Sequence, residues 1–490
     1  MLVRGLVLVC AAAVVGIVCG RVAISHYALP AVELLVAVPI LLALMPRPFA
    51  ACLLLLVLLC SAPFYSALPR AGVPGHPPIN IGDVLLAAMV AATLWRRPWR
   101  VWPIPVRRFY LALLLMLALA LIPTVALAFH GHTPARDAIN GYKDLLYMTV
   151  ALTVALELSG RMWWPLINAA IVLAVIVSIL SVLAAASGSI GHLLTSLDSN
   201  AVTPEANPLG LGTTARIRLP GLFLVYAMTI PTLVMVLLVK DRWRTARTVA
   251  LALMVAAIGV SLNRNMYFGG LAGLVVTLLV GGPRLRYRFL IVAATVAAVV
   301  ALILESALTP PTVTSQISAR AQSALSSQVL STGSAQSRAD EFSHALTSIA
   351  HHPWFGVGWF QNYGSYVGSP GLGTAPRAGV EDWYLHLTTD LGIPVALAFL
   401  LVVGVVLAFG VSRAARASEP LDRAMIAALV GSVAALLLSC LVGTYLQDPN
   451  SMAAFGFACG LLLAAGIRAM PWAGRTLDDR AHSRDLARCA

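Results

Sequence analysis

The sequence predicts an all-α, polytopic transmembrane bundle of about fourteen helices, on three observations. Of the 490 residues, 59% are hydrophobic and 11% charged, where an average soluble domain carries about a quarter charged residues. Mean hydropathy is +0.87. Apolar runs of roughly 20 residues, the length that crosses a bilayer as a helix, recur along almost the whole chain.

The runs fall near 2–20, 27–45, 49–67, 81–95, 109–129, 143–158, 165–186, 219–239, 247–263, 266–282, 288–306, 391–410, 424–446 and 452–468. Those at 81–95, 143–158 and 266–282 are short for a full span. The stretch after Arg4 has the polarity of a signal peptide. Gly16-Ile17-Val18-Cys19 makes a poor processing site, however, and a second run follows at once, so it reads as a retained helix.

Basic loops set orientation. An alternating path through these spans puts five clusters on one side: Arg96, Arg97, Arg100, Arg107 and Arg108; Lys240, Arg242, Arg244 and Arg247; Arg284, Arg286 and Arg288; Arg413, Arg416 and Arg423; and Arg468, Arg475, Arg480, Arg484 and Arg488. Arg4, Arg47 and Arg161 join them. That side is cytoplasmic by the positive-inside rule, and both termini lie there. The net charge of +13 is thereby accounted for by topology, and nucleic acid is not an expected partner. Cys10, Cys19, Cys52, Cys60, Cys440 and Cys459 lie in apolar spans and Cys489 in the tail. None has metal-ligand spacing with histidine, so neither a disulfide framework, a metal site nor a cofactor is expected.

Two external segments are long, about 187–218 and about 307–390. The second holds a Ser/Thr/Gln-rich stretch, a helix expected around 337–351, and a Gly-rich turn region. A loop of that length in a chain otherwise pared to membrane marks function. The organisation read from these features is 1–215, N-terminal spans; 216–410, a core with the large loop; and 411–490, C-terminal spans and tail.

Ten basic residues remain outside: Arg21, Arg70, Arg136, Lys143, Arg216, Arg218, Arg264, Arg320, Arg338 and Arg377. Arg264, in Ser261-Leu262-Asn263-Arg264-Asn265, sits in a hairpin too short to hold it far from the bilayer, and Arg218 stands just before an apolar run. A charge near hydrocarbon is costly, by about 3 kcal/mol at a helix centre. Snorkelling to lipid headgroups accounts for any one of them. A set formed by Arg218, Arg264 and Arg338 suits a diphosphate, because a rigid, permanently charged fork binds phosphate oxygens bidentately. The loop then reads Ser337-Arg338-Ala339-Asp340-Glu341-Phe342, later His351-His352-Pro353-Trp354-Phe355-Gly356-Val357-Gly358-Trp359-Phe360, and ends Glu381-Asp382-Trp383-Tyr384-Leu385-His386-Leu387. By spacing alone, Arg338 and Glu341 form a local ion pair worth a few tenths of a kcal/mol, and His352-Pro353 with Gly356 and Gly358 forms a tight turn.

These residues resemble the O-antigen ligase and polymerase superfamily. Its members carry an arginine and Gly-Leu-Phe before a span, as in Arg218 to Phe223, and an arginine turn between two spans, similar to Asn263-Arg264-Asn265. They carry an arginine helix leading to His-Pro-Leu-Phe-Gly-Val-Gly, close to Arg338 through Gly358. They re-enter the membrane through a pattern matched by Tyr384, Leu385, Asp390, Leu391, Gly392, Ile393 and Pro394. The detailed likeness covers roughly 216–410. Two departures stand out: Val225 and Tyr226 lie where an Asn-Pro-Asn is usual, and Glu381-Asp382 stands where ligases carry a His-Asn pair.

The resemblance implies a GT-C-like bundle and transfer of a glycan from an undecaprenyl-diphosphate-linked donor to a glycan or lipid acceptor at the periplasmic face of the bacterial inner membrane. Membrane lipids are the surroundings, and a flippase and a chain-length regulator are the expected partners. The leaving diphosphate gains charge that fixed guanidinium groups stabilise without a metal. The acceptor hydroxyl needs a base, for which Glu381 ranks first, Asp382 second and His386 third. His352, Gly356 and Gly358 brace the loop. A polymerase joining repeat units is the leading expectation and a ligase the runner-up. A transporter is disfavoured because the spans are nearly charge-free while ionisable residues gather outside.

The alternating path makes a direct prediction. A reporter fused after residue 345 reads periplasmic and one after residue 418 cytoplasmic; both on one side means the spans between them are misplaced.

Overall fold

The computed structural model describes residues 44, 46–60, 81–160, 162–186, 202–205, 214–217, 219, 221–261, 264–291, 333–361, 382–441, 443, 446 and 448–469. The expected run at 2–20 and that at 27–45, Leu44 apart, lie outside the described residues, as do 61–67 of the run at 49–67 and 292–306 of the run at 288–306.

Within them the chain is built of helices: α1 (Pro48–Cys60), α2 (Ile81–Arg96), α3 (Ile104–Phe129), α4 (Ala135–Leu146), α5 (Val150–Glu157), α6 (Trp163–Ala186), α7 (Leu222–Leu238), α8 (Arg244–Val260), α9 (Arg264–Gly281), α10 (283–291), α11 (Gly333–His351), α12 (Trp383–Leu391), α13 (Ile393–Arg416), α14 (Pro420–Ser439) and α15 (Pro449–Arg468). Five are long and apolar enough to cross a bilayer: α3, Trp163–Ala184 of α6, α13, α14 and α15. Shorter apolar helices include Leu222–Leu238 and Asn265–Gly281. The chain is an integral membrane protein.

Two features depart from the sequence reading. The run at 143–158 is not one helix: α4 is followed by a 3₁₀ turn, Tyr147–Thr149, and then by α5. Arg136, Asp137, Lys143 and Asp144 make α4 too charged for hydrocarbon, so the chain enters the bilayer only after Tyr147. The second is an antiparallel ribbon, β1 (Val202–Glu205) with β2 (Thr214–Ile217), in which Thr203 pairs with Arg216. Strands four residues long carry too little alternation to be read from sequence.

Side-chain contacts join the helix ends in two groups. At one end Glu157 Oε1 and Oε2 lie 3.7 and 3.8 Å from Arg96 Nε and Arg97 Nε. There too Arg468 stacks over Trp163 and Trp164, and Arg288 donates to the Leu237 carbonyl at 2.8 Å. At the other end Lys143 meets Asp83 at 3.1 Å, and Tyr147 donates to Asp83 at 2.6 Å.

Two glycine pairs set the closest helix approaches. On α15, Gly456 faces Met148 and Val150, and Gly460 faces Ala151 and Val154 of α5. On α9, Gly269 faces Ala435 and Ser439 of α14, and Gly273 faces Gly431 and Ala435. Both are Gly-x-x-x-Gly, the spacing that lets backbones touch where no hydrophobic force drives helices together in lipid. α15 is the central helix, with 89% of its apolar window buried by protein.

A side chain at Gly273 meets the Gly431 carbonyl and the Ala435 side chain. Gly273→Leu is therefore expected to cost about 1–3 kcal/mol, as overpacking does. The check is a lower thermal midpoint in detergent, against an unchanged one for Gly404→Ala, whose surroundings are open.

Candidate functional site

The site grows from the outer ends of α7, α9 and α14. Tyr226 of α7 donates to the Met266 carbonyl at 2.7 Å. Ser439 at the end of α14 donates to Tyr226 Oη at 3.0 Å and lies 3.3 Å from the Asn265 carbonyl. One residue on, the Cys440 carbonyl accepts from Trp383 N at 3.0 Å, and Tyr384 donates to the Leu437 carbonyl at 3.0 Å. The N-terminus of α9, where Arg264 stands, thus lies against Ser439, and the N-terminus of α12, where Asp382 stands, against the adjacent Cys440 that caps α14.

Asp382 is the N-cap of α12. Its Oδ1 accepts from Leu385 N at 2.8 Å, satisfying one of the amides a helix start leaves unpaired. Burial raises its pKa, opposed by the backbone hydrogen bonds from Leu385 and Tyr384. His386, one turn on, is fully buried between the rings of Phe360 and Trp383. Its Nε2 lies 3.3 Å from Asp390 Oδ2, in a contact not aligned as a hydrogen bond. Asp390 is also fully buried. Burial drives both toward their uncharged forms, pushing His386 down to about 3 and Asp390 well above the usual carboxylate range.

That pair lies under the Gly-rich loop. Val357 N donates to the Thr389 carbonyl at 2.8 Å and Gly358 N to that of Asp390 at 3.0 Å. Phe360 N reaches Asp390 Oδ2 at 3.3 Å, and Ile393 N donates to the Pro353 carbonyl at 2.8 Å. Gly356 has φ +67° and packs against the Asp390 backbone; Gly358 has φ +104° and packs against Thr133. Both conformations belong to glycine. Phe360, with φ +57°, is the one non-glycine in that region among the described residues. Trp359 closes the far side, its Nε1 donating to Thr124 at 3.0 Å and its ring lying on Gly141. The loop joins α3, α4, α12 and α13.

The expected residues are placed as follows. Arg264 opens α9 and Arg338 lies in α11, which packs against α12; their side chains are outside the described residues. Arg218 and Glu381 lie outside them too, next to the described Leu219 and Asp382. His352 is exposed and its carbonyl accepts from Gly356 N at 3.0 Å. α11 begins at Gly333, four residues before its expected start. Sequence reasoning missed α12 as a helix, the Tyr226–Ser439 contact, the shielded position of Asp390, and the polar cluster of Asp83, Lys143, Asp144 and Tyr147. The signal for that cluster was available: Asp83 is an acidic residue at the edge of an apolar run. Among the described residues no group of three or more His, Cys, Asp or Glu is placed to hold a metal ion.

Residues 249–400 match the O-antigen ligase family. The match runs from α8 into α13 and so contains Arg264, Arg338, the Gly-rich loop and α12. No curated protein sequence matches the chain. The family supports an O-antigen ligase- or polymerase-like activity and implies a lipid-linked glycan donor with an acceptor in the membrane.

Asp390→Asn keeps an acceptor for Phe360 N and resembles a protonated carboxyl, so stability changes little. Asp390→Ala leaves that amide unpaired, a loss of about 1–3 kcal/mol. Thermal unfolding of the two variants in detergent separates these outcomes.

Proposed function

We propose that this protein polymerises undecaprenyl-diphosphate-linked oligosaccharide repeat units at the periplasmic face of the bacterial inner membrane, with both termini cytoplasmic and no metal in the reaction. The observation that supports it most is the meeting of the α9 and α12 N-termini on Ser439 and Cys440 of α14. It sets the start of α9, which Arg264 opens, and the start of α12, which Asp382 caps, against adjacent residues at the end of α14.

In this reading Arg218, Arg264 and Arg338 hold the donor diphosphate and neutralise the charge it gains as the glycosyl bond breaks. Glu381 takes the proton of the acceptor hydroxyl as that oxygen bonds to the anomeric carbon. Asp382 caps α12 and so fixes where that helix begins. His386 and Asp390, dry and uncharged, support the loop from beneath. The second reading, transfer of finished polymer to a lipid A-core acceptor, is favoured by the family match itself, since the family is described as O-antigen ligase.

Changing Arg218, Arg264 and Arg338 singly to Lys keeps charge and removes the fork; polymer yield should fall while protein level holds. Unchanged yield in all three reduces them to lipid-facing charges. Glu381→Gln should lower turnover about 10²–10⁴-fold, the usual contribution of a positioned base. Asp382→Asn still caps the helix, so a comparable loss there moves the base to Asp382, and loss only in His386→Ala moves it to His386. Polymer that accumulates on the lipid carrier identifies a polymerase. Single repeats that stay unpolymerised in wild type, with polymer made elsewhere reaching lipid A-core, identify a ligase.

A further inference from the structure

We propose that Trp354 and Phe355 seat the Gly-rich loop in the headgroup region of the bilayer on the α11–α12 side, making the floor of the site a membrane-interfacial surface. In the turn His352 to Gly356 these two side chains point out while the flanking backbone is pinned: Gly356 N to His352, Ile393 N to Pro353, and Gly392, at φ +87°, against the Trp354 carbonyl. Trp354 is 70% exposed and Phe355 52%. A loop fixed so firmly that still displays two large aromatic rings needs a contact surface to cover them.

Their neighbours indicate which. The pinning bond from Ile393 ties the turn to the first residue of α13, an apolar span whose Ile393, Leu397, Leu400 and Leu401 form an exposed, lipid-facing face. α3 packs against α13, and its last residue at this end, Phe129, is 86% exposed. At the opposite end exposed Trp95, Trp99 and Trp243 occur among the basic clusters. Aromatic rings at both ends of a bundle, where apolar spans stop, are the pattern of side chains resident at the two membrane–water boundaries. The surface formed by Trp354 and Phe355 continues the lipid-facing face of α13, so its occupant is phospholipid. The site above it is thereby held at the depth of lipid headgroups, where a lipid-linked diphosphate lies. This placement rests on the transmembrane reading of the chain and is independent of the reaction it carries out.

The test uses the full chain in phosphatidylethanolamine and phosphatidylglycerol vesicles. Trp354→Cys is labelled with an environment-sensitive fluorophore, with the wild-type chain carried through the same labelling as blank. Lipids brominated just below the headgroup should quench it at least twofold more than lipids brominated near the bilayer centre, and aqueous iodide should quench it weakly. Label-free support comes from intrinsic fluorescence, where Trp354→Phe should lose a component that the shallow bromines quench. Strong iodide quenching with no bromine effect overturns the proposal. So does iodide quenching that added oligosaccharide suppresses, which makes the pair a sugar platform. Neither measurement needs turnover, so failure of the polymerase reading leaves the result standing, and the reverse holds.

Discussion

The contact on which the rest of this structure depends is the close approach of α9 to α14 through Gly269, Gly273 and Gly431. In lipid there is no hydrophobic gain from pushing two apolar helices together, so packing at short range has to supply the association. Glycine supplies it by removing the side chains that would hold the backbones apart. The consequence is felt at the helix ends. With α9 lying against α14, Tyr226 reaches the Met266 carbonyl and Ser439 reaches Tyr226, and Cys440, which caps α14, receives the first amide of α12. A packing constraint inside the bilayer is thereby converted into the position of a helix N-terminus outside it.

The second organising feature is dry and polar. His386 and Asp390 sit one helical turn apart with no exposure, beneath a loop that runs back along the end of α12. Ionising either would cost heavily there, and burial favours the uncharged form of both. Asp390 still uses an oxygen to receive Phe360 N, at the residue whose left-handed conformation a phenylalanine adopts only under constraint. The loop is therefore held by backbone hydrogen bonds, two glycines with positive φ and one shielded carboxyl. This arrangement suits a surface that must keep its shape beside a fluid bilayer.

The chemistry assigned to the outer face has a physical logic independent of the residues chosen for it. A diphosphate leaving group needs fixed positive charge, which Arg218, Arg264 and Arg338 supply in the proposed reading at the membrane boundary, where full charge is tolerated. Helix N-termini add their own partial positive charge, and α9 and α12 both start at this face.

The membrane class, the positions of the five long apolar helices, the helix expected at 337–351 and the family likeness were legible because each rests on local information: run length, composition, or a short ordered motif such as His352 through Gly358. What the sequence could not determine depended on distance. The split at 146–150 turned on where charged residues of α4 find the water boundary, and the short ribbon on pairing between strands nine residues apart. His386 reads in sequence as a candidate base, yet only its packing between Phe360 and Trp383 reveals that it is shut away from solvent. Asp382 reads as the second candidate base, and only the amide of Leu385 shows that it is also a helix cap. Sequence by itself determined that this chain lives in a membrane, because run length and composition are local properties. Tertiary structure alone decided which residues meet, because helix contacts join positions hundreds of residues apart that share no local pattern.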